Sequence, residues 1–170
     1  AYSQKISESI EISSGAINSV LIKRNGVNLV VYGDPKGGIK KAEMILFTHF
    51  RRDVVWAGRN LVLNGSLAIV PAEERSYFTN PDSIWKEFTG TRFHDNKNQT
   101  TKIGILPVKV HRFVKEGDLL KWQDLEIKVL NTPGYARGSV SYIADIDKKK
   151  YAFVGDLIYG EGKIFDLYSF

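Results

Sequence analysis

Apolar and β-branched residues alternate with polar ones over 5–12, 17–23 and 28–32, the period of two expected of half-buried strands. Ser13-Ser14-Gly15 separates the first two stretches. Asn25-Gly26 separates the next two and suits the positive backbone angles of a two-residue hairpin. After the loop Asp34-Pro35-Lys36-Gly37-Gly38, the apolar run Met44-Ile45-Leu46-Phe47 reads as a buried strand. Residues 54–64 bring Val55, Leu61 and Val62 onto one helical face. Leu67-Ala68-Ile69-Val70 is a compact strand ended by Pro71, which suits the first turn of a helix over 72–78. Pro81 to Phe88 predicts another short helix, and the polar stretch 94–102 a surface loop. From Val108 the pattern is β-rich, with strands expected over 108–114, 118–122, 125–130, 139–145 and 151–155. Gly117-Asp118 and Gln123-Asp124 serve as turns, and Lys148 to Lys150 reads as a polar hairpin turn. Strands, then helices between central strands, then strands again predict an α/β (α+β) sandwich with helices outside two sheets.

A chain of 170 residues, 43% of them hydrophobic, can bury one ordinary core, so one domain over 1–170 is expected. No apolar run approaches the roughly 18 residues needed to cross a bilayer. The start, Ala1-Tyr2-Ser3-Gln4, lacks the charged and apolar regions of a signal peptide, and a soluble protein is expected. With no cysteine, disulfides and thiolate metal ligands are excluded. The net charge of +5 is spread over Lys40-Lys41, Arg51-Arg52 and Lys148 to Lys150. Nucleic-acid binders concentrate such charge on one face, so nucleic acid is disfavoured as the main partner.

Candidate chemistry gathers in three segments. Phe47-Thr48-His49-Phe50-Arg51-Arg52-Asp53-Val54 ends a strand on Thr-His-x-x-x-Asp. Thr132-Pro133-Gly134-Tyr135-Ala136-Arg137-Gly138-Ser139-Val140 is a loop before a strand, and Phe153-Val154-Gly155-Asp156 ends one. In this order they resemble the metal-binding segments of the metallo-β-lactamase superfamily, whose signature begins His-x-His-x-Asp-His. The resemblance runs from about Gly15 to Gly160. It implies a metallo-β-lactamase-like αββα sandwich, made of the first half and the start of the second and incomplete at the C-terminus. It also implies a vestigial metal site of His49, Asp53 and the bridging Asp156. Arg51 and Val54 stand where the family has its second and third His, and Tyr135 stands at another ligand His.

Stable zinc sites use three to four protein ligands, mostly His and Cys. Here one imidazole and two carboxylates remain, a neutral phenol is a weak ligand, and valine is none. Dinuclear zinc is therefore disfavoured, and the expected cofactor is none or one weakly bound divalent metal. Arg51 is the expected surrogate cation, pointing inward to form a buried pair with Asp156 or Asp53, while Arg52 points outward. Asp53 also suits the N-cap of the helix starting near Val54. The resemblance places Asp156 and Asp53 on adjacent strand ends, and Asp53 and Tyr135 are the candidate catalytic groups. His94 and His111 fit no ligand spacing and read as surface or structural residues. Trp56, Trp85, Trp122, Phe47, Phe50 and Phe113 read as core or cleft wall.

The function expected is a degenerate relative that has lost its dinuclear zinc centre, a non-catalytic or weakly active binding or structural domain of a longer protein. Two rival readings stay open. One is a metal-dependent hydrolase with a mononuclear site acting on an ester, thioester or phosphoester, since hard cations accept oxygen ligands. The other is a nucleic-acid-binding relative of the family's nucleases. Expected partners are the missing C-terminal half or a second copy, and a small-molecule ligand.

Overall fold

The computed structural model describes residues 3–34, 36–92 and 106–164, with the backbone alone at 85 and 88–92. Trp85's side chain, His94 and the 94–102 stretch thus lie outside the described residues. Seven strands form the first sheet in chain order. Four are antiparallel: β1 (Ser3–Lys5), β2 (Ile10–Ser13), β3 (Ser19–Arg24) and β4 (Val27–Val31). Asn25 and Gly26, with φ of 49° and 77°, make the β3–β4 turn as their types require. Three parallel strands continue the sheet: β5 (Met44–Leu46), β6 (Leu67–Pro71) and β7 (Arg112–Val114).

The single strand expected over 5–12 is instead the hairpin β1–β2, with Ser3 opposite Ser13. Its turn is fastened from the far end of the chain. Asp147 accepts from the Ser7 hydroxyl (2.6 Å), the Ser9 N–H (2.9 Å) and the Ser9 hydroxyl (2.9 Å), and it also pairs with Arg24 (3.1 Å). Alternation alone could not reveal a turn held by so distant a residue. The strand expected over 108–114 shortens to β7 because the preceding backbone bonds elsewhere. Val108 donates to the carbonyl of the helical residue Phe78 (2.9 Å), and bonding to β6 begins only at His111, whose N–H donates to the carbonyl of Ala68 (2.9 Å).

Helix α1 (Arg52–Leu63) connects β5 to β6 and buries Val54, Val55, Leu61 and Val62. A Cβ at its Gly58 would run into the Tyr32 carbonyl and the Ile45 side chain, so helix and sheet pack closely there. The helix expected over 72–78 is a 3-10 turn (Ala72–Glu74) followed by α2 (Arg75–Thr79). Then α3 (Pro81–Arg92) extends beyond the expected Phe88. Trp56 is not core, being 63% exposed on the outer face of α1.

The second sheet is antiparallel, in the order β11 (Lys149–Phe153), β10 (Val140–Ile146), β9 (Leu125–Asn131), β8 (Leu119–Trp122). Leu120, Trp122, Ile127, Val129, Tyr142 and Ile146 are buried and join the core cluster that contains Ile22, Leu29 and Phe47 of the first sheet. The β10–β11 turn is Asp147-Lys148, both in the left-handed region, while Lys149 and Lys150 already belong to β11. This moves the turn expected at 148–150. On the outer face Lys121 sits opposite Glu126 and Asp145 opposite Lys150, with Leu119 exposed beside them. The three described helices all connect strands of the first sheet. A short ribbon, β12 (Ile158–Tyr159) with β13 (Lys163–Ile164), follows. Among the described residues no helix is long and apolar enough to cross a membrane.

Candidate functional site

Beyond β5 the chain leaves the parallel strands at Phe47 and is held there from both sides. Phe47 donates to the Ile69 carbonyl (3.0 Å), and its own carbonyl accepts the Tyr142 hydroxyl (2.6 Å). Val140 of β10 donates to the Thr48 carbonyl (2.8 Å). These bonds let the two sheets present His49, Arg51 and the 132–139 loop at one end of the sandwich.

His49 is buried in a continuous hydrogen-bonded chain. Tyr32 Oη lies 2.8 Å from Thr48 Oγ1, which lies 2.8 Å from His49 Nδ1, and His49 Nε2 lies 3.0 Å from Asp156 Oδ2. Nε2–H donates to the carboxylate, and the links through Nδ1, Thr48 and Tyr32 are satisfied whichever way their hydroxyls point. The order Thr–His–Asp matches that of a hydrolytic triad. Thr48 is fully buried, however, so its hydroxyl reaches no substrate. The chain positions His49.

Asp156 comes from the 3-10 turn Gly155–Leu157 that follows β11. Its Oδ2 also accepts from Arg51 Nη1 at 2.9 Å. Burial works to raise the Asp156 pKa, but the His49 and Arg51 hydrogen bonds and charges outweigh it and hold the carboxyl below its ordinary range. Burial likewise opposes the Arg51 charge, and Asp156 outweighs it, so the guanidinium stays firmly cationic. Arg51 Nη2 lies 3.8 Å from Asp53 Oδ2. The pair is half-buried, not buried as expected: the Arg51 and Asp156 side chains are 34% and 31% exposed.

Asp53 differs from expectation twice. The helix starts at Arg52, its cap position is Arg51, and no side chain caps it. Asp53 lies inside the first turn, where a carboxylate faces the positive end of the helix. Nor do Asp53 and Asp156 share adjacent strand ends, since one rides on α1 and the other follows the edge strand of the second sheet. Arg52 points outward, with its Nε 3.1 Å from Asp53 Oδ1. The Tyr135 ring stands 5.0 Å from the His49 ring and 5.9 Å from the Arg51 guanidinium carbon, and burial raises its phenol pKa against the pull of Arg51. Val54 is 1% exposed within α1. His111 holds the sheet, its Nδ1 accepting from Ala68 N–H at 2.9 Å.

Glu74 is the residue that sequence reading passes over. It is 2% exposed, and its carboxylate accepts from Phe50 N–H and Gly138 N–H, both at 3.1 Å. Burial raises its pKa, opposed by those two N–H groups and by His49. The side chain therefore ties the 47–51 segment to the 132–139 loop. In the sequence it is one of an acidic pair, with no sign of burial.

A zinc ion needs three or four converging donors. Among the described residues no three of His, Cys, Asp or Glu come together closely enough to hold a metal. The oxygen of Asp156 that faces His49 is already shared with a guanidinium. As arranged, these side chains do not fit a zinc centre.

No family model matches the chain. Native FEZ-1 metallo-β-lactamase from Legionella gormanii superposes with a TM-score of 0.68 at 14% identity, covering 95% of this chain and 66% of that one. GOB-18 from Elizabethkingia meningoseptica gives 0.66 at 20% identity, covering 89% and 60%. The di-zinc LRA-12 from an Alaskan soil metagenome gives 0.66 at 15% identity, covering 89% and 61%. This is the metallo-β-lactamase fold. The chain thus spans about two thirds or less of those structures. A hydroxyacylglutathione hydrolase from Buchnera aphidicola subsp. Schizaphis graminum is 39% identical over 67 residues, covering 35% of this chain and 25% of that protein. His49, Arg51, Tyr135 and Asp156 meet at one end of the two-sheet sandwich of this metallo-β-lactamase fold.

The Asp156 shift has a testable sign. A carboxyl held low in the folded state stabilises above its ordinary pKa of 3.8 and loses that contribution as pH falls through the lowered value. Asp156→Asn is therefore expected to cost about 1 kcal/mol near pH 6, the pair being half-buried, and less as pH drops toward about 3. Urea unfolding across that range reads the narrowing gap, and a gap that widens in acid refutes the assignment.

Proposed function

We propose that this is a metallo-β-lactamase-fold domain that acts by binding, within a longer protein, and no longer through a dinuclear zinc centre. The observation that supports this most is the convergence of Arg51 Nη1 and His49 Nε2 on the same Asp156 oxygen, at 2.9 and 3.0 Å. The guanidinium stands beside Asp156 as a permanent cation and balances the site's carboxylates, which otherwise need a counter-charge. A guanidinium supplies neither an open coordination position nor an acidified water, so metal-assisted hydrolysis does not follow from it. In this reading His49, Asp53 and Asp156 are vestiges of ligands and Arg51 is their surrogate cation.

Elemental analysis of chain purified without chelator tests the proposal. Less than about half an equivalent of zinc is expected, with one imidazole left for ligation. One or more equivalents retained through dialysis would overturn it. Arg51→His with Tyr135→His should create zinc affinity that the parent lacks. Adding Val54→His completes the pattern, but that position is buried in α1 and the double variant is the cleaner probe.

A second reading is a hydrolase using one hard divalent cation on His49, Asp53 and Asp156 against an ester, thioester or phosphoester, with Asp53 or Tyr135 assisting. The 39% identical match to a hydroxyacylglutathione hydrolase favours it. Ester or thioester cleavage that appears with added Mn²⁺ and vanishes in Asp156→Asn would establish it in place of the first.

A further inference from the structure

Beside the Arg51–Asp156 pair lies a cavity of about 300 Å³, bounded by the 15–18 loop and the turn at Asp156. Its lining includes the polar side chains of Asn18, Tyr32, Arg51 and Asp156 and the apolar ones of Ile17, Val54 and Ile158. Both hydrogen bonds to Asp156 fall on Oδ2, and neither uses Oδ1. Arg51 Nη1 engages Asp156, while Nη2 is 3.8 Å from Asp53, beyond hydrogen-bond length. A guanidinium carries five N–H donors, so several remain on a side chain that lines the cavity.

A cation with spare donors thus stands next to a carboxylate with a spare acceptor, at the edge of a small space. We infer that this cavity binds a small carboxylate bearing a hydroxyl or ammonium on the adjacent carbon. The ligand's carboxylate takes charge-assisted bonds from Arg51, and its hydroxyl or ammonium donates to Asp156 Oδ1. Short apolar substituents rest against Ile17, Val54 and Ile158. The cavity lies at the lower end of ligand-pocket sizes, about 300–1,000 Å³, and suits a small molecule. With Asp156 and Asp53 both near the guanidinium, a dianion meets repulsion that a monocarboxylate or zwitterion avoids. This inference rests on the reading that Arg51, and not a metal, accompanies Asp156.

Calorimetric titration of the full chain with glycolate, glycine, acetate and inorganic phosphate tests it. Glycolate or glycine is expected to bind at least about tenfold more tightly than acetate, the worth of one hydrogen bond to a charged group. Whichever of the two binds more tightly identifies the second group. Arg51→Gln should weaken that ligand by a similar factor, and Lys86→Gln, an exposed residue of α3, should leave it unchanged. Should Arg51→Gln fail to fold, Asp156→Asn serves instead, erasing the preference over acetate. Absence of binding by both glycolate and glycine, equal binding of acetate, tighter binding of phosphate, or insensitivity to these variants would each overturn the inference. Zinc retained by the chain sinks the metal-free reading and this inference with it. A zinc-free chain that ignores glycolate and glycine sinks this inference alone.

Discussion

Glu74→Ala is expected to destabilise the protein by about 3 kcal/mol, more than the Asp156→Asn change at the half-buried pair. The substitution strands two buried backbone donors, Phe50 N–H and Gly138 N–H, each worth about 1–3 kcal/mol when left unpaired. It also separates the two segments that carry His49 and Tyr135. Urea unfolding near neutral pH measures the loss, with Glu73→Ala, its neighbour, as the control. Part of the loss is offset because burial already works against the Glu74 charge. Glu74→Gln should fall between the two, since one amide oxygen cannot accept from both donors as well as a carboxylate does. A cost for Glu74→Ala within that of Glu73→Ala would remove Glu74 from its place between the loops.

Gly155→Ala is expected to cost about 2–4 kcal/mol and to loosen the site at the same time. Gly155 has φ of 61°, a region where a side chain is strained, and a Cβ there would overlap Thr48 Oγ1 and the Tyr32 hydroxyl. Either the turn carrying Asp156 moves off His49 or the Tyr32–Thr48–His49 chain breaks, so the energy and the geometry fail together. The imidazole nitrogen resonances of His49 read the second effect, and thermal unfolding reads the first. Gly160→Ala is the comparison, because a Cβ at Gly160 meets nothing within contact distance. Equal behaviour of the two variants would mean that the 155–157 turn is not packed against Thr48 and Tyr32.

Short-range pattern carried much of this protein. The hairpin at Asn25-Gly26, the buried run 44–47, helix α1 and the strands around 119–146 are all legible from periodicity and turn chemistry. The reason is that each depends on neighbours within a few residues. The three segments around His49, Tyr135 and Asp156 are likewise legible as pieces of one pattern, and that pattern points to the fold.

What only the tertiary structure decided depends on residues far apart in the chain. The turn at 6–9 is held by Asp147, so the first strand divides into a hairpin that alternation cannot reveal. Asp53 sits inside a helix turn and Asp156 beyond another sheet, which places Arg51 between them. Trp56 faces outward because α1 already fills its buried face with smaller residues. Glu74 is the clearest case: a charged side chain reads as solvated unless one knows that two backbone N–H groups, 24 residues before and 64 residues after it, turn toward the same carboxylate. Local sequence sets the elements because their hydrogen bonds and side-chain periods are local. The site's electrostatics belongs to the packed fold, where burial and distant partners set the state of each charge.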